Sequence, residues 1–133
     1  MKNKETYLVE MGKNEIVLIG RALELYARVA MCQFNNLTDC YSLGELVHDK
    51  GCGEAFDEAA KEMKKALGLP TNGYYGIGKK PVGDDARIAF DIYQSIRHER
   101  WKRRGSKEDG STSCYPADVC RVYGMDKPNF EIK

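Results

Sequence analysis

The sequence predicts a mainly α fold of about four helices, with a small β element formed by the N- and C-terminal segments. Three observations predict it. Apolar residues recur at spacings of three and four over Glu15 to Leu37, Glu54 to Leu67 and Ala86 to Gly105, the repeat of a helix face. The β-prone runs are short and lie near the ends: Thr6 to Met11, Val119 to Tyr123 and Asn129 to Ile132. The length, 133 residues, fits one domain over 1–133 and leaves little room for two.

Thr6 to Met11 reads as a strand that Gly12 ends, with Asn14 placed to cap the next helix. That helix runs from Glu15 to about Leu37. Ile16, Ile19, Leu23, Tyr26, Ala30, Phe34 and Leu37 form one stripe, and Leu18, Ala22, Leu25, Val29 and Cys32 form a second. A helix apolar over so much of its circumference predicts a central position or a second subunit, hence a homo-oligomer. Ser42 caps a short helix that turns Leu43, Leu46 and Val47 inward. Glu54 to Leu67 is amphipathic, with Phe56, Ala59, Ala60, Met63 and Leu67 on one side. Its acids come early and its lysines late, as the helix dipole favours. Gly68 and Pro70 are a strong stop signal. A Gly/Tyr/Lys-rich loop follows, and then Asp84 or Asp85 caps a helix running to about Arg104. Gly105 to Ser113 is polar and reads as a mobile loop. The first and last long helices are expected to form the centre.

Twenty-one Lys and Arg oppose twenty Asp and Glu, a net charge of +1, so global charge does not argue for nucleic-acid or membrane binding, and any basic surface has to be local. No stretch approaches the ~18 consecutive apolar residues of a spanning helix. The five cysteines form an odd set without a C-x-x-C pair, and MKNKETYLVE lacks the apolar run of a signal peptide. These features predict a cytoplasmic chain with free thiols.

The densest charge lies between Arg97 and Arg104, where five basic residues accompany one acid. Phe90, Tyr93, Arg97, Trp101 and Arg104 share a stripe at helical spacing. An arginine fork grips phosphate through paired hydrogen bonds, and a neighbouring ring stacks on a base. The same arginines also suit an ordinary helix C-terminus, where the dipole favours cations. Gly73 to Lys79 matches the G-x-x-x-x-G-K part of a phosphate-binding loop. It lacks the preceding strand and the following Ser or Thr, so a Walker-type site is rejected. What remains there is a loop presenting Tyr74, Tyr75, Lys79 and Lys80, or simply a turn that needs glycines. The predicted ligand-binding set is therefore Arg97, Arg100, Trp101 and Arg104 with Tyr74, Tyr75 and Lys79. Arg21 and Arg28 lie on one face of the first helix, placed either to join this set or to pair with Glu24.

Catalytic patterns are weak. Asp91, Ser95 and His98 share a helix face and read as a solvated surface, because one helix supplies neither a strained elbow nor an oxyanion hole. His48 and Cys52 space like half a metal site with no second pair, and Cys32 reads as a small core residue. The expectation is no enzyme, no cofactor and no metal.

Two segments carry a resemblance. ALELYARVAMCQF (Ala22 to Phe34), and NGYYGI followed by DDARIAFDIYQSIRHERWKR (Asn72 to Ile77, then Asp84 to Arg103), resemble small uncharacterised proteins encoded by phages and prophages. The matching stretches cover about a third of the chain. The resemblance implies a phage-type accessory protein with an anti-defence role in the host cytoplasm, and it transfers no active site. The leading expectation is a non-catalytic protein that sequesters a phosphate-bearing nucleotide signal. The alternative is an inhibitor that binds a host defence protein through apolar and aromatic surfaces. Weak nucleic-acid binding through the basic patch comes third.

Overall fold

Residues 5–103 are described by the computed structural model of the chain. Among these residues four α-helices and one short 3-10 helix follow in order: α1 (Lys13–Ala30), η1 (Phe34–Asp39), α2 (Tyr41–Lys50), α3 (Gly53–Ala66) and α4 (Asp84–Arg103). The mainly α expectation holds. The β element does not appear among the described residues. Residues 6–11 form no strand and stand exposed, with Leu8 fully open to solvent. Val119 to Tyr123, Asn129 to Ile132 and the polar loop from Gly105 lie outside the described residues.

α1 starts two residues earlier than Asn14 suggested. Gly12 is its N-cap, and the Gly12 N–H donates to the Glu15 carboxylate at 3.2 Å. It also stops seven residues before Leu37. Cys32 takes a left-handed conformation (φ +65°), the Cys32 N–H donates to Val29 O, and the Gln33 N–H donates to Arg28 O. This is a Schellman ending with cysteine where glycine is usual, which is why no glycine or proline announced it. The apolar spacing continues past the stop because η1 carries it onward.

α2 and α3 end the same way with glycine in the left-handed position, at Gly51 (φ +62°) and Gly68 (φ +76°). Both glycines interrupt the chain in the sequence as well, Gly68 the more strongly because Pro70 follows it. α2 begins at Tyr41 on a Cys40 cap rather than at Ser42, and only Val47 of its three expected inward residues is fully buried. On α3 the inward face runs through Phe56, Ala60 and Lys64, while Ala59, Met63 and Leu67 are exposed.

α1 and α4 pack on each other as expected, and they run antiparallel. Gly20 abuts Ile96, Glu24 lies beside Tyr93, and the Tyr26 hydroxyl donates to the Asp85 carboxylate. η1 is the hub of the remainder, touching α1, α2 and α3. The core sits where α1 ends and α4 begins. Met31, Val82 and Ala86 form it, and Ala30, Tyr75 and Ile77 pack around them. Arg87 fastens the connecting loop to α4, donating to the carbonyls of Ile77 (3.0 Å) and Lys79 (2.8 Å) and pairing with Asp84. No helix among the described residues is long and apolar enough to cross a membrane.

Candidate functional site

The residues predicted to bind ligand divide between two places. Tyr74, Tyr75 and Lys79 lie on the loop fastened by Arg87, whereas Arg97, Arg100 and Trp101 lie near the far end of α4. At 1.5 Å per residue, Arg97 is ~15 Å and Trp101 ~21 Å beyond Arg87 along the helix. The structure brings neither group to the other. Arg104 lies outside the described residues.

Within the loop the three residues differ. The Tyr75 N–H donates to Met31 O at 2.9 Å, and the Tyr75 ring packs against the core. Its place is structural. Lys79 is exposed, and its backbone serves the turn through bonds to Gly76 O and from Val82 N–H. Tyr74 alone presents an exposed ring to a concavity.

At the end of α4, much of the charge is answered locally. Lys102 pairs with Glu99 at 2.9 Å. Arg97 and Arg28 lie close enough to Tyr93 to oppose the rise in its pKa caused first by burial and then by the Glu24 charge. Arg28 clasps Glu24 at 3.0 and 2.8 Å and donates to Gln33 Oε1 at 2.9 Å. It thus takes the pairing alternative rather than joining the basic set, while Arg21 is exposed. Arg100 and Trp101 are half-buried, and the Trp101 ring stands 5.5 Å from His98 at 33°.

The expected solvated face of α4 is not solvated. Asp91 (6 % exposed) and Ser95 (7 %) are buried, with Gln94 between them. They lie on the side of the helix away from Ala89 and Ile96, so α4 is covered on two sides. A sequence read for one apolar stripe has no signal for a buried polar one. Gln94 Oε1 has no hydrogen-bond partner among the described residues. No group of three metal-binding side chains occurs among them either.

The concavity that Tyr74 faces is a groove of about 520 Å³ between η1, α3 and the loop, open to solvent on one side. That volume lies in the range of small-molecule sites, ~300–1,000 Å³. η1 and the turn before it contribute Gln33, Asn35 and Asn36. One face of α3 contributes Asp57, Lys61 and Lys64, spaced by four and three. Thr71 and Asn72 complete the wall.

Lys64 is the unusual member. It is only 8 % exposed, yet its ammonium donates to a neutral group, Thr71 O, at 3.3 Å, and it has no ion pair among the described residues. The ammonium has three donors, two of which this contact leaves over. Lys61 pairs with Glu58 on the exposed rim, and that carboxylate raises the Lys61 pKa. Sequence reasoning assigned Lys64 to the helix dipole. Its only other signal was a cation inside the i, i+4 stripe begun by Phe56 and Ala60.

Compared with known proteins, the chain matches no family model, no curated protein and no solved structure.

Proposed function

We propose that this chain is a non-catalytic binding protein for a small phosphate-bearing nucleotide, and that the ligand sits in the groove between η1, α3 and the loop. The observation that carries the reading is Lys64, a buried lysine with no carboxylate partner among the described residues, which lines the groove beside side-chain amides and the Tyr74 ring. A phosphate oxygen supplies the missing negative charge through a charge-assisted hydrogen bond. Tyr74 offers a face for a base. Arg97, Arg100 and Trp101 take second place because they lie near the far end of α4, away from the groove, where Glu99 already pairs with Lys102. The resemblance to phage-encoded proteins supplies the setting, an accessory protein that sequesters a host signal.

Calorimetry of the full chain against cyclic and ADP-ribose-type nucleotides tests this. The expected result is saturable binding, weakened at least tenfold by Lys64→Met and unchanged by Arg100→Ala or Trp101→Ala. The reverse pattern moves the site to the end of α4. Silence across the panel from a folded sample overturns the reading.

One observation favours the second reading, an inhibitor of a host protein. Large apolar side chains stand exposed on α1 (Leu18, 66 %), α2 (Tyr41 and Leu46) and just past α3 (Leu67). The same surfaces support self-association into a homo-oligomer. Recovery of a stoichiometric host protein on co-purification from a bacterial lysate, together with silence in calorimetry, selects this reading.

A further inference from the structure

Of the three β-prone runs in the sequence, only residues 6–11 (TYLVEM) are described, and the fold makes no use of them. Tyr7 is 76 % exposed, Val9 68 % and Leu8 entirely. No backbone N–H or C=O of this arm forms a hydrogen bond among the described residues. Every described element is helical, so none offers a sheet edge for the arm to join. Tyr7, Val9 and Met11 alternate with Thr6, Leu8 and Glu10, the period of two that gives a strand one apolar face. An extended apolar segment with open edges is a template for pairing with another chain.

We propose that the arm pairs with the arm of a second copy of this chain, antiparallel about a twofold axis at Leu8. The proposal stands apart from the groove and from the apolar helix surfaces. The occupant follows from the arm's own sequence, which is complementary to itself. A twofold axis relating two antiparallel strands is perpendicular to their ribbon, so it sets one residue opposite its own copy. An axis at Leu8 sets Leu8 on Leu8 and Tyr7 opposite Val9 twice, an aromatic ring on a β-branched side chain. Thr6 then faces Glu10, and the one mismatch, Glu5 with Met11, falls at the ends of the ribbon. An axis at Val9 sets Leu8 against the Glu10 carboxylate next to the centre, and an axis at Tyr7 sets Val9 against Glu5 and Leu8 against Thr6. The two arms enter their helices in opposite directions, so the helical bodies lie at opposite ends of the ribbon. A ribbon of two strands is only marginally stable by itself, so the dimer forms reversibly and depends on concentration.

Analytical ultracentrifugation of the full chain over a wide concentration range tests this. The expected result is a monomer–dimer equilibrium. Leu8→Asp is expected to raise its dissociation constant at least tenfold without moving the melting temperature, because the arm lies outside the core. Leu18→Asp, on the exposed side of α1, is expected to leave it unchanged. With the exposed Cys40 replaced by serine, Leu8→Cys is expected to form a disulfide-linked dimer on mild oxidation at least tenfold faster than Glu5→Cys, which the same register sets opposite Met11. A chain that stays monomeric at every concentration overturns the proposal. A dimer that Leu8→Asp leaves intact also overturns it and moves self-association to the helices. Assembly beyond a dimer overturns the twofold closure, and equal cross-linking of the two cysteine variants overturns the axis at Leu8.

Discussion

Cys32 shows how one residue redirects the chain. Its left-handed backbone ends α1 and turns the chain toward η1, and so places Gln33, Asn35 and Asn36 on the groove. An L-residue other than glycine holds this conformation at a cost of ~1–2 kcal/mol, and a side chain branched at Cβ fares worse. Cysteine is unbranched there and is buried. Cys32→Val is therefore expected to destabilise the fold by about 2 kcal/mol, read as a lower urea midpoint at unchanged slope. The sequence offers no warning of this stop, because cysteine is not a turn residue. Lys64 was equally hard to read. A lysine in the last turn of a helix is ordinary, and what sets this one apart, its contact with Thr71 O on the returning chain, is tertiary.

At the scale of elements, two glycines that look alike in the sequence do different work. Gly20 faces α4, and a methyl group there would meet Ile96 at 3.6 Å, an ordinary contact. Helix propensity then dominates, so Gly20→Ala is expected to stabilise the protein by ~0.5–1 kcal/mol. Gly44 faces η1, and the same methyl group would lie 2.5 Å from the Thr38 carbonyl oxygen. The backbone cannot yield as a side-chain tip can, so Gly44→Ala is expected to cost ~1–3 kcal/mol. Thermal melts of the two variants should move in opposite directions. The helices themselves were legible, since their apolar spacing and the Gly68 stop are local signals. Their ends were less so. α1 differs from its expected span at both ends because its caps, Gly12 with Glu15 and then Cys32, depend on backbone bonds rather than on residue type alone.

At the scale of the molecule, the Tyr26–Asp85 hydrogen bond ties the last turns of α1 to the first turn of α4. It holds the Asp85 carboxyl below its ordinary range, chiefly through the Tyr26 hydroxyl and then the Ala86 N–H, and it raises the Tyr26 pKa. A depressed carboxyl contributes stability that is present above its unfolded pKa, ~3.9, and lost as pH falls through the lower folded value. A raised phenol contributes stability that is present below ~10 and lost as pH rises through the higher folded value. Tyr26→Phe is thus expected to flatten the dependence of Tm on pH below about 4 and above about 10 while leaving its shape near neutrality unchanged. Both groups are exposed, so salt should weaken the effect.

The sequence by itself determined the helical class, three of the four helices to within about a turn, the charge balance and the isolation of Trp101 among arginines. Those are properties of neighbours along the chain, and periodicity and helix-stop residues record them. Tertiary structure alone decided which cation is buried, which face of α4 is covered, and that the tyrosine loop and the arginine end lie far apart. The groove draws on residues 33–36, 57–64 and 71–74, three segments with no local signal in common. Their meeting depends on where α1 stops and on the Arg87 and Lys64 bonds that hold the returning loop, contacts between residues that spacing along the chain does not encode.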